Sequence, residues 1–265
     1  MKPFPQWRVF ILGLLLFSAF VVMVSVMKAQ KLIPDLPRLK SNDYLQKKLN
    51  LPVWVSLDQI SPLAVSAIVT SEDDDFYANR GFELDSIWDA FKTDLHTLQF
   101  KRGASTITQQ VMKNTLLTRH KSISRKIEEL ILAREAERIL TKDRILEIYL
   151  NTAQWGEKLY GIEEASRYYF NKSSKDLTLK EGSYLAMLLP SPIRYSRPFR
   201  DKKLDAHNLR IMDSILARML AADKITPQQF ETEEQAPLPF EEIAPTPTVV
   251  PEVSPAVTAT SPKPF

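Results

Sequence analysis

The chain has 265 residues, 44% of them hydrophobic, with 35 basic against 32 acidic side chains and a formal charge of +3. That length and apolar content exclude a disordered chain and allow one sizeable domain with appendages, while so small a charge gives no ground for nucleic acid as a partner. Cysteine is absent, which excludes disulfides, thiolate metal sites and a cysteine nucleophile.

From the N-terminus, the first element is the uncharged run Val9 to Met27, long enough to cross a hydrocarbon core of about 30 Å as a helix. A cleaved signal peptide needs a shorter apolar region and a small-x-small site, which the Met-Lys-Ala-Gln exit does not supply, so the run is read as an uncleaved anchor. Lys2 and Arg8 precede it and Lys28 and Lys31 follow it, so local charge is balanced; we place the N-terminus, residues 1–8, in the cytoplasm. Residues 28–50, with the proline-containing Ile33 to Leu39, read as a linker. Leu51 to Leu57 alternates with period two and is the best strand candidate in a domain expected to span 51–230.

Ser61-Pro62 has the form of an N-cap followed by proline at the first helical position, which predicts a helix ending near Ser71 or Glu72. Four acids, Glu72 to Asp75, then stand at the negative pole of that helix. The dipole and mutual repulsion both push a carboxylate pKa upward there. Asp73, Asp74 and Asp75 read as solvated turn residues. After a turn at Arg102-Gly103, Thr106 and Gln109 stand in capping-box relation and predict a further helix. Its N–H groups and Lys113 one turn on suit phosphate or pyrophosphate.

Ile123 to Leu150 predicts two helices, the second capped by Thr141 with Asp143 in its first turn and stopping near Asn151. Thr178 and Glu181 form a capping-box pattern opening a helix that stops at Pro190, and His207 to Leu220 is amphipathic. Residues 231–265 read as a disordered tail, rich in Pro, Thr, Ser and Val from Ala236 on. The fold class expected is mainly α. His96, His120 and His207 lack metal-ligand spacing, and Phe91 to Phe100 fits either an amphipathic helix or a membrane-touching loop.

Two acid sites, around Glu72 and Glu129, are separated by the cations Lys113, Lys121, Arg125 and Lys126. Paired carboxylates with a phosphate-binding cluster suggest sugar transfer from a phosphorylated carrier.

These segments resemble glycosyltransferase family 51, the peptidoglycan glycosyltransferases, and within it the monofunctional, membrane-anchored biosynthetic transglycosylases. The family's Glu-Asp-x-x-Phe-x-x-His-x-Gly motif stands here from Glu72 to Gly81, its second motif from Gly103 to Gln110 with Lys113-Asn114, and its Arg-Lys-x-x-Glu motif from Arg125 to Glu129. A fourth runs from Lys142 through Glu147 to Asn151, followed by Trp155-Gly156, Tyr160-Gly161-Ile162, Tyr169-Phe170 and Leu189 to Pro192. The likeness covers about Leu57 to Met219.

The resemblance implies a lysozyme-like lobe with a smaller membrane-proximal lobe, and polymerisation of lipid II into β-1,4-linked glycan with inversion and loss of undecaprenyl pyrophosphate. Glu72 would be the general base and Glu129 would help the pyrophosphate leave, with a divalent ion, Mg or Mn, as cofactor and metal ligands unassigned. Lys113, Lys121, Arg125 and Lys126 would hold the pyrophosphate, and Ser105, Thr106, Gln109, Gln110 and Asn114 would line the cleft. Implied partners are lipid II, the growing glycan chain, the membrane, and cell-wall synthesis or division proteins. The implied site of action is the periplasmic face of the bacterial inner membrane, reached by a single pass. Two residues depart from the pattern: Asn79 replaces the first motif's histidine, where a structural accommodation is expected, and Lys158 replaces a frequent glycine, where a positive φ would strain it. The competing readings are a lysozyme-like hydrolase, which has no need of the cation cluster, and an inactive scaffold, against which both glutamates argue. A bifunctional penicillin-binding protein is set aside, and Ser25-Val-Met-Lys28 is taken as a chance match to Ser-x-x-Lys.

Overall fold

A computed structural model of the protein describes residues 6–81, 105–118, 120 and 122–241. Gly103, Lys121, the 91–100 segment and the tail from 242 onward lie outside the described residues.

The first helix, α1 (Gln6–Leu32), carries the apolar run, and Phe10, Leu16 and Phe17 on it are 74%, 63% and 65% exposed. A helix of this length and apolar exposure could span a membrane, consistent with the anchor expected. The chain then departs from expectation. Residues read as a linker form a 3₁₀ helix (Ile33–Lys40) and α2 (Asn42–Leu49), whose Leu36, Leu39 and Leu45 are wholly buried in the core. Proline in this stretch is compatible with a 3₁₀ turn, and the packing is fixed by Arg144, which donates to both Leu39 O (3.0 and 2.8 Å) and Asn42 Oδ1 (2.5 Å).

Leu51 to Ser56 forms no strand pairing among the described residues, and Leu57 opens a 3₁₀ turn (Leu57–Gln59). The Asn151 side chain takes the place of a partner strand: its Oδ1 accepts from Val55 N (3.0 Å) and its Nδ2 donates to Val55 O (2.8 Å). The backbone N–H and C=O of Val55 are thereby satisfied without a ladder.

Helix α3 (Pro62–Glu72) starts at Ser61, whose hydroxyl accepts from Ala64 N, and ends on Glu72 as predicted. Helix α4 (Ile107–Thr115) starts at Thr106, α5 (Ile123–Ile139) at Ser122 and α6 (Lys142–Thr152) at Thr141, each capped by its own hydroxyl. Asn151 falls inside α6 rather than ending it, because its amide is occupied by Val55. The two-stranded hairpin β1 (Gln154–Gly156) and β2 (Leu159–Tyr160) turns through Lys158, whose φ of +57° confirms the left-handed geometry suspected there. Then follow α7 (Ile162–Phe170), α8 (Leu179–Leu188, with the predicted capping box), the short α9 (Pro192–Tyr195) and α10 (Arg197–Asp201), α11 (Ala206–Ala221) and α12 (Pro227–Gln235).

The wholly buried α8 lies against α3, and α11 packs on both. The approach is close enough that a Cβ on Gly182 would sit 2.5 Å from Ala64 Cα. Helix α4 packs between α5 and α6. The ordered domain also runs further than 230: α12 covers residues to Gln235, and Leu238 and Phe240 are buried, with Phe240 meeting Phe170, Tyr184 and Phe199.

Candidate active site

Glu72 is the last residue of α3, so its carboxylate leaves the helix where α4 and α6 converge. Its Oε2 accepts from Gln110 Nε2 of α4 (2.8 Å) and from the Tyr149 hydroxyl of α6 (3.4 Å). Its pKa is raised above the ordinary 4.5, chiefly by burial; Gln110, Lys113 and Tyr149 pull it back, and the Asp73 charge adds to the rise. The sequence expectation of a raised pKa therefore holds, but neighbouring acids are a minor cause and desolvation the main one. The Tyr149 hydroxyl is held well above 10 by burial and by Glu72, so it remains a donor.

Of the three aspartates, Asp74 and Asp75 are exposed in the turn after α3 as expected, whereas Asp73 is not. Asp73 is 8% exposed, and its two oxygens accept from Asn79 Nδ2 (2.8 Å) and from Ile107 N (2.8 Å), the first amide of α4. Asp74 pairs with Lys224 at 2.6 Å. Asp73 also changes the reading of α4. With Ile107 N taken by that carboxylate and Gln109 N by the Thr106 hydroxyl, the helix end that resembled a phosphate cradle is already supplied with an anion. Thr106 does cap the helix, but the Gln109 side chain does not return the bond; it donates to Gly81 O (3.3 Å) and accepts from Lys126 Nζ (2.7 Å).

Asn79 performs the accommodation expected of it. While donating to Asp73, it accepts from Gly81 N (3.0 Å) and Lys142 Nζ (3.1 Å), which holds the turn after α3 against α6. Gly81 has φ +86°, and a Cβ there would lie 2.9 Å from Glu137 Cγ, so the motif's glycine is required sterically.

Charge is gathered on α5. Arg125 and Lys126 both engage Glu129, the lysine at 3.2 Å, and Lys126 also donates to Ser105 Oγ at 2.6 Å. Arg125 Nε is buried with no hydrogen-bond partner among the described residues. Lys113, in the second turn of α4, forms no ion pair among the described residues, yet both Glu129 and Glu72 act on its ionisation. Its pKa is lowered from 10.5, first by desolvation and then by Arg125 and Lys126, against the pull of the two glutamates.

A cleft of about 610 Å³ is lined by Gln110, Lys113, Asn114, Arg125, Tyr149 and Thr152 with an apolar side at Leu189, Pro190 and Pro192; Glu72 lies behind Gln110 and Tyr149, and Glu129 and Lys126 behind Arg125, rather than on its wall. Of the residues picked from sequence, Gln110, Lys113, Asn114 and Arg125 face this cleft, whereas Ser105 and Gln109 hold Lys126, and Thr106 holds Gly81 O at 2.7 Å. Tyr149 and Thr152 were missed: Tyr149 was absorbed into the apolar periodicity of its helix, and Thr152 lies past the stop expected near Asn151. Tyr149 could have been found as a residue too polar for a wholly buried position.

Among the described residues no three of His, Cys, Asp and Glu converge, and Glu129 is already taken up by Arg125 and Lys126.

The sequence profile of the family described as Transglycosylase matches residues 42–220. The chain belongs to the transglycosylase family. The matched span includes every proposed site residue and the buried α2. Similar proteins are the biosynthetic peptidoglycan transglycosylases of Paraburkholderia phytofirmans, 42% identical over 170 residues (64% of this chain, 69% of that one), and of Cupriavidus metallidurans, 39% over 172 residues (64% and 72%). The corresponding protein of Pectobacterium atrosepticum is 42% identical over 142 residues, 54% of this chain and 58% of its own. As in other transglycosylases, the mainly helical domain is lysozyme-like.

Proposed function

We propose that this transglycosylase polymerises lipid II into glycan strands from a membrane anchor, with its domain on the periplasmic side of the bacterial inner membrane. The supporting observation is the position of Lys113, an ammonium without an ion pair among the described residues, standing where both Glu72 and Glu129 act on it. A cleft lined by Lys113 and Arg125, with Gln110 and Tyr149 on its wall holding the Glu72 carboxylate, fits a substrate that carries both a sugar hydroxyl and a pyrophosphate.

In that reading the acceptor's 4-hydroxyl loses its proton to Glu72 as its oxygen attacks the donor's anomeric carbon. The bond from that carbon to the pyrophosphate oxygen breaks with inversion, and the departing charge is taken up by Lys113, Arg125 and Lys126. Gln110 and Tyr149 aim the Glu72 carboxylate. Glu129 holds Arg125 and Lys126 extended until the pyrophosphate arrives. A divalent ion, Mg or Mn, is the cofactor implied by the family motifs, and would supply further positive charge to the leaving group. Lys121 is assigned to the same cluster by motif. The pass through the membrane runs from a cytoplasmic N-terminus, and cell-wall synthesis or division proteins are the proposed partners.

The test is polymerisation of labelled lipid II by the purified full chain in detergent with divalent ion, beside Glu72→Gln and Glu129→Gln. Polymer from wild type that vanishes in Glu72→Gln supports the reading. A folded wild type without polymer refutes it.

A further inference from the structure

The last turns of α1 leave the lipid-exposed pattern. Ser25 and Ala29 are wholly buried, and α1 packs along α5 there. Small residues four apart let two helices approach closely. At that contact a polar chain crosses the interface: the Ser25 hydroxyl lies 2.9 Å from Ser124 Oγ, and Ser124 donates to Glu128 Oε1 at 2.9 Å. Lys28, one turn after Ser25, brings its Nζ to 3.9 Å from the same Glu128 oxygen. Ser25 Oγ also lies 2.7 Å from Val21 O, so within α1 the hydroxyl has an alternative acceptor. The Ser-x-x-Lys spacing at the membrane exit therefore places both side chains on the face that meets α5.

Glu128 is buried, and it alternates along α5 with the pyrophosphate cluster: Ser124, Arg125, Lys126, Glu128 and Glu129 occupy two turns of one helix. Glu128 stands three residues from Arg125, close enough on a helix to compete with Glu129 for the guanidinium. Ser124 and Lys28 occupy it from the other side.

We propose that Ser25, Lys28, Ser124 and Glu128 form a latch between the membrane anchor and α5. It fixes the helix's first turns and keeps Glu128 away from Arg125, which makes Ser25 and Lys28 positioning residues for the leaving-group end of the cleft. The inference rests on the reading of that cleft as a pyrophosphate site.

The full chain in lipid vesicles is the test system. Lys28→Met should raise KM for lipid II about three- to fivefold with kcat and melting temperature little changed, the size expected for a partly exposed pair. Lys28→Arg should restore KM, and Lys28→Met combined with Glu128→Gln should cost no more than either alone. Because the chain has no cysteine, a Ser25→Cys, Ser124→Cys double variant can be oxidised to one defined disulfide. It should cross-link readily. Wild-type KM in Lys28→Met, or failure of the cysteine pair to cross-link, would overturn the latch while leaving polymerisation intact. A wild type that neither polymerises lipid II nor binds a polyprenyl pyrophosphate would remove the cleft reading, and the latch with it.

Discussion

Glu72 and Lys113 carry opposite shifts, each from desolvation first, and together they set a pH window for activity. A base must be ionised, so the rate should rise through a Glu72 pKa displaced above 4.5; the cation must stay protonated, so it should fall through a Lys113 pKa displaced below 10.5. Lys113→Arg should move the alkaline limb upward, because guanidinium keeps its proton, and Tyr149→Phe should move the acidic limb upward by removing a bond to the carboxylate. Initial rates across pH test both. Stability has its own sign. A carboxylate with a raised folded pKa contributes stability below its unfolded pKa and loses it as pH rises through the folded one. Glu72→Gln, which keeps a polar side chain but cannot ionise, should therefore melt no lower than wild type at pH 8 while being inactive. At this scale the sequence showed Glu72 and the α5 cations, since motif order and charge are written there. It did not show Asp73 as the cap of α4, because a contact between positions 73 and 107 depends on the turn after α3.

At the scale of elements, caps and turns were legible wherever the determinant is local. The Ser61, Thr141 and Thr178 helix starts all appear as read, because each hydroxyl bonds an amide three residues on. The strand expected at Leu51 to Leu57 does not form, because its partner is a single side chain 96 residues away. Lys158, at φ +57°, holds a conformation that costs a non-glycine residue about 1 kcal/mol, so Lys158→Gly should stabilise the protein by roughly 0.5–1 kcal/mol in denaturant melts. Gly81→Ala should do the reverse and more strongly, about 2–3 kcal/mol, since the strain of a positive φ adds to a clash with Glu137 and the Ala133 carbonyl.

The whole molecule shows where composition misleads. Prolines at 34 and 37 read as a linker, yet the segment is core; the Pro-rich tail was placed from 231, yet helix and buried aromatic packing run to Phe240. Proline marks the absence of regular hydrogen bonding, not the absence of burial. A chain shortened to begin at Leu51 should aggregate or melt well below one beginning at Leu32, having lost Leu36, Leu39 and Leu45 from the core. Thermal melts of the two in detergent would settle it.

A free tether of residues 28–50 would reach about 75 Å when extended and let the domain roam a hemisphere of solution above its anchor. Folded as it is, the leash has no slack. Enzyme and lipid substrate would then meet only by lateral diffusion in a plane, and surface density, not bulk concentration, would govern their encounters. Diluting proteoliposomes while keeping the mole fraction of lipid II constant should leave turnover per enzyme unchanged.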